Sequence, residues 1–80
     1  MRILDDTTDK SITSITLLLK MSEAIQLSGY LEDLLSRKTR REHYHLNDDD
    51  YVKEITIALY DDDDLEGFSN RYKTLITRDE

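Results

Sequence analysis

Two aspartate runs bracket one stretch of alternating residues, and that arrangement limits what this chain can build more than any other feature. Asn47-Asp48-Asp49-Asp50 precedes the segment Lys53 to Tyr60, and Asp61-Asp62-Asp63-Asp64 follows it. Aspartate is depleted from strands and favoured in turns, so each run ends whatever element lies beside it. Between the runs, Ile55, Ile57 and Leu59 alternate with Glu54, Thr56, Ala58 and Tyr60, the period of a strand with one apolar face. Before the first run, Tyr44 and Leu46 alternate with His43 and His45. The pattern predicts an antiparallel hairpin that turns at Asn47 to Asp50.

The rest of the chain supplies one more strand and two helices. Thr13, Ile15, Leu17 and Leu19 alternate with Ser14, Thr16, Leu18 and Lys20, which predicts a half-buried strand over Ser11 to Lys20. Ser22 then reads as an N-cap, with Glu23 in the first turn. Ala24, Leu27, Leu31, Leu34 and Leu35 follow at helical spacing, with Ile25 beside them, so a helix is expected from about Glu23 to Ser36. Gly29 inside it suggests close packing against the sheet. The last segment carries a capping-box pattern, Asp63 with Glu66, and a helical stripe of Leu65, Phe68, Tyr72, Leu75 and Ile76. Tyr72, Thr74 and Ile76 also alternate, but cap and stripe together favour a helix. The expected fold is α+β in the order β-α-β-β-α, a small two-layer sandwich. Its sheet has about three strands with both helices on one face, and Leu17, Leu31 and Ile57 lie in the core.

At 80 residues the chain is read as a single small acidic domain spanning 1–80. Its core is thin, and no cysteine is present to reinforce it with a disulfide or a thiolate metal site. An unpaired sheet edge makes a homodimer a reasonable expectation. The apolar run Leu17 to Leu19 falls far short of the roughly 20 residues of a membrane span. Met1-Arg2-Ile3-Leu4 runs directly into Asp5 and Asp6 with no apolar signal region, so a cytoplasmic location is expected. A formal net charge of −7 argues against direct nucleic-acid binding, because a phosphate backbone would meet an anionic protein.

Chemistry-bearing patterns are few. His43 and His45, two apart on one strand, can point at one metal ion, with Asp48, Asp49 or Asp50 adding oxygen ligands. The plainer reading is a pair of solvent-facing histidines, and no cofactor is expected. Asp61 to Asp64 fails as a calcium loop, since Leu65 stands where a third ligand belongs. Arg37-Lys38-Thr39-Arg40-Arg41 is the one cationic cluster, and it suits the C-terminal end of a helix. Glu23, Glu32 and Glu54 are isolated on elements too small to enclose a cleft of about 300 Å³, and neither a cysteine nucleophile nor a G-x-S-x-G elbow occurs, so no enzyme is expected.

Tyrosine is the remaining signal. Five tyrosines stand against one phenylalanine and no tryptophan, and Tyr44, Tyr51 and Tyr60 lie on or beside the hairpin. Tyrosine brings apolar area with a hydrogen-bonding tip, which suits protein interfaces. In overall profile, short, acidic and free of cysteine and motifs, the chain resembles the class of small inhibitor and immunity proteins. That class includes toxin-immunity proteins, antitoxins and phage-encoded anti-defence proteins. The likeness implies a non-enzymatic module that occupies a basic surface on a protein partner. Asp48, Asp49, Asp50, Asp61, Asp62, Asp63 and Asp64 would then be its anions, and Tyr51 and Tyr60 its anchors. The alternatives are a homo-oligomeric structural or regulatory subunit and, less favoured, a metal-dependent activity at His43 and His45.

Overall fold

In the computed structural model, residues 1–36 and 43–80 are described. The basic cluster Arg37 to Arg41 lies outside them. The element order is β1 (Leu4–Asp5), β2 (Lys10–Ser11), α1 (Met21–Ser36), β3 (His43–Asn47), β4 (Glu54–Ala58) and α2 (Asn70–Arg78). The class is α+β, as the patterns indicate, but the expected three-stranded sheet is replaced by two separate antiparallel pairs, β1 with β2 and β3 with β4. The chain gathers into two compact units, one formed by Met1–Leu17 with Asp61–Glu80 and the other by Leu18–Tyr60.

The unit Leu18–Tyr60 is a helix laid on a hairpin. β3 and β4 pair in the register Tyr44 to Ile57 and Leu46 to Ile55, which places all four side chains on one face. Leu46 is buried there and His43 and His45 lie on the exposed face, as the alternation indicates. α1 packs on β3, with Leu34 buried and the Tyr30 ring stacked on Tyr44 at 4.7 Å between centroids. A two-stranded hairpin is marginal alone in water, and the helix supplies the apolar cover that it lacks.

The start of α1 corrects the cap assignment. Lys20, not Ser22, occupies the cap: its carbonyl accepts from Ala24 N–H at 2.9 Å and its own N–H donates to Glu23 Oε1 at 2.8 Å. Glu23 reaching back to the cap N–H lets the helix begin at Met21. Gly29 also departs from expectation, because a Cβ built on it meets nothing within 4 Å. Close packing therefore does not account for it. Gly29→Ala is expected to stabilise the fold by about 0.5–1 kcal/mol through helix propensity alone, read as a higher urea midpoint at low protein concentration. A lower midpoint would mean that the position is packed after all.

In the other unit, β1 and β2 form a short hairpin around Asp5, whose Oδ1 accepts from Thr7 N–H at 2.9 Å. The strand expected over Ser11 to Lys20 is reduced to its first residue. Ile12 N–H still donates to the Ile3 carbonyl at 3.0 Å, but no strand continues past Ser11, and Ile15, Leu17 and Leu19 are exposed. Alternation favours an extended chain, but a strand needs a ladder partner, and here β1 supplies only two residues. Leu17 therefore leaves the core, as does Leu31 on α1, and Ile57 is only half-buried.

α2 confirms helix over strand for the last segment, with Leu75 and Ile76 buried. Its cap is Ser69, whose hydroxyl accepts from Tyr72 N–H at 3.2 Å, so the expected Asp63–Glu66 box does not start it. At the other end, Asp79 N–H caps the Leu75 carbonyl at 2.9 Å, and Arg2 Nε donates to that carbonyl and to that of Ile76, each at 3.1 Å, giving Ile76 a partner that a helix end lacks. Arg71 Nε donates to Asp9 Oδ1 at 2.7 Å and ties the β1–β2 turn to α2. No helix among the described residues is long and apolar enough to cross a membrane.

Candidate interaction site

The seven aspartates of the two runs divide by what their carboxylates do. Asp48 closes the β3–β4 turn: its Oδ1 accepts from Val52 N–H at 2.8 Å and from Lys53 N–H at 3.0 Å. Its own N–H donates to the Lys53 carbonyl, and Tyr51 N–H donates to the Asp48 carbonyl. The Lys53 N–H first, then the Val52 N–H and the Lys53 ammonium, hold the Asp48 carboxyl below its ordinary value of 3.8 against a smaller desolvation effect. Asp49 faces Lys20, Nζ to Oδ2 at 3.2 Å, and that bond with the Asp49 charge raises the Lys20 ammonium above its ordinary 10.5. The pair is mostly exposed and contributes little to stability. Asp50 is exposed and makes no hydrogen bond or ion pair among the described residues.

The second run is a tight turn in its own unit. Asp61 and Asp64 bridge across it, with Asp64 N–H donating to the Asp61 carbonyl at 3.0 Å. Asp61 Oδ1 accepts from Asp63 N–H at 3.0 Å, and Asp64 Oδ1 accepts from Glu66 N–H at 3.2 Å. These two carboxylates shape backbone, whereas those of Asp62 and Asp63 are exposed to solvent. Tyr60, expected as an anchor, is half-buried beside the run.

Tyr51 stands apart from the other tyrosines. It is 80% exposed, its neighbour Val52 is also exposed, and its φ is +56°. Left-handed backbone is tolerated by aspartate, as at Asp9 and Asp79, but is unfavourable for an aromatic residue by about 1–2 kcal/mol. No burial of the ring offsets that strain.

His43 and His45 share the exposed face of β3, with ring centroids 4.9 Å apart. His45 Nδ1 lies 2.9 Å from Thr56 Oγ1 and contacts Glu54, both across the ladder on β4. No group of three or more potential metal ligands forms among the described residues, so Asp48, Asp49 and Asp50 do not join the two imidazoles.

Because Asp48 acts on backbone and Asp49 on a side chain, their loss should differ. Asp48→Ala is expected to lower the thermal midpoint at pH 7 and Asp49→Ala to leave it nearly unchanged. The Asp48 contribution is present above pH 3.8 and is lost as pH falls through its lowered folded value. Wild type and Asp48→Ala should therefore converge in strongly acid buffer, which melts across pH would reveal.

Comparison of the chain with protein-family models, with curated proteins and with solved structures gave no match in any of the three.

Proposed function

We propose that this chain is a non-enzymatic protein-interaction module that engages a basic surface on a protein partner, as an inhibitor or immunity-type protein does. The observation that carries the reading is Tyr51, an exposed aromatic held in left-handed backbone beside an acidic turn. Residues held in strained backbone cluster at functional sites, and the Asp48 hydrogen bonds hold the turn that imposes this one. The use that fits a tyrosine flanked by Asp50 and Val52 is an anchor with an anionic rim. Asp62 and Asp63 supply further solvated anions from their own turn. Asp48, Asp61 and Asp64 drop out as contact residues in this reading, because their carboxylates hold the turns. The net charge of −7 adds a long-range field that steers a cationic partner and repels nucleic acid.

The test is affinity capture from nuclease-treated extract of the native host, eluted by a salt step and identified by mass spectrometry. The proposal requires a basic protein that binds wild type, elutes with salt and is lost from the Asp50→Asn, Asp62→Asn, Asp63→Asn triple variant. Enrichment of nothing, or of a protein that ignores both salt and the three substitutions, would overturn it.

A further inference from the structure

α1 carries two apolar faces, and the hairpin uses only one. The Tyr30 ring stacks on Tyr44 of β3, and Leu34, buried, and Leu27, half-buried, lie within about 60° of Tyr30 around the helix. At 100° per residue, Ser28 lies about 120° round the helix from Leu34, at the middle of a second sector. Leu35 and Met21 lie within about 20° of Ser28 on either side, and Leu31 and Ile25 within about 60°. These four apolar residues are between 42% and 81% exposed. The sector is also symmetric along the axis: Met21 and Leu35 are each seven positions from Ser28, and Ile25 and Leu31 each three. A two-fold axis through Ser28 would therefore set Met21 against Leu35 of a second copy and Ile25 against its Leu31. A surface that is its own complement about one point is what an isologous dimer requires.

We infer that this face of α1 is a homodimer interface in which two α1 helices pack antiparallel about Ser28. Three features of the face select a second copy. The only charged residue in the sector is Glu32, and the same axis places it over the small Ala24 of the second copy, near the positive end of that helix. Ser28 and Ala24 let the backbones approach, as close helix pairs need. The area suffices: at about 30 Å² per apolar carbon, the four side chains expose roughly 350 Å² per copy. With the polar share of an ordinary interface, that corresponds to about 1,000 Å² in total, the lower end for a specific contact. The association should therefore be micromolar. Two chains of charge −7 repel, so salt should tighten it. That is the opposite sign to the acidic-turn contact, and the inference stands or falls separately from that reading.

Sedimentation equilibrium of the whole chain across salt concentrations tests it, with Ile25→Glu as the disruptive variant. The exposed position leaves the fold intact, which far-UV circular dichroism checks. The expected result is a monomer–dimer equilibrium that tightens with salt and weakens at least ~10-fold in Ile25→Glu. Because the chain has no cysteine, Ser28→Cys supplies a second readout. Its two thiols meet at the axis and should form a covalent dimer at least ~10-fold faster than Ser22→Cys, which sits about 120° away. A monomer at all salts to about 1 mM, ~1,000-fold above a micromolar constant, would overturn the inference. So would a dimer indifferent to Ile25→Glu, equal crosslinking of the two cysteine variants, or a different protein on this face of a monomeric chain.

Discussion

Leu46→Ala is expected to destabilise the fold by about 2–5 kcal/mol, enough to leave much of the chain unfolded at room temperature. Leu46 is 3% exposed, the most buried residue of the hairpin, and it lies opposite Ile55 on the face that α1 covers. A chain of this length has about 4–12 kcal/mol to lose. Only Leu34, Leu46, Leu75 and Ile76 are apolar and buried among the described residues, so no large core exists to absorb a cavity. Leu35→Ala, on the exposed side of α1, should change stability by no more than about 0.5 kcal/mol when measured on dilute monomer. Urea denaturation of both variants gives the comparison. Equal losses would mean that α1 buries a different face.

Tyr51→Gly should move stability and binding in opposite directions. Glycine enters left-handed backbone without the penalty an aromatic incurs, so the fold should be unchanged or up to about 1 kcal/mol more stable. The same substitution removes the exposed ring, and affinity for the captured partner should fall by about 2 kcal/mol or more, close to 30-fold. A residue serving the fold would show the reverse pattern, a lower melting point with unchanged affinity. Paired thermal melts and binding titrations on one preparation separate the two.

The hairpin was legible because its two faces differ in kind. His43 and His45 against Tyr44 and Leu46 define both strand and register, since a slip of one residue would bury the histidines. Alternation failed over Ser11 to Lys20 because period alone does not report whether a partner strand exists. That partner, Leu4–Asp5, is too short to carry a period of its own. The helix stripe is legible but its two faces merge in the sequence, because Leu31, Leu34 and Leu35 fit one broad apolar arc of which β3 covers only part. The α2 cap is hidden in the sequence because Asp63 and Glu66 match a capping pattern, whereas Ser69 has only its spacing to Tyr72.

Within the site, identical residue types hid different roles. Nothing in Asp48-Asp49-Asp50 distinguishes the carboxylate that accepts two backbone N–H groups from the one left in solvent. The turn geometry makes that division, aiming Val52 and Lys53 N–H at Asp48 alone. The positive φ of Tyr51 belongs to the same turn and has no signature in composition.

The proposed interaction rests on solvated carboxylates and an exposed tyrosine that together draw in a basic partner. The most direct measurement is the association rate of the captured partner as a function of ionic strength, for wild type and for the Asp50→Asn, Asp62→Asn, Asp63→Asn variant. Exposed charges act over a screening length of about 8–10 Å near physiological ionic strength, so the wild-type rate should fall steeply as salt rises. The variant should start at least ~10-fold slower at low salt and depend less on it, with the dissociation rate changed far less. Association rates that coincide for the two proteins and stay flat with salt would contradict the account.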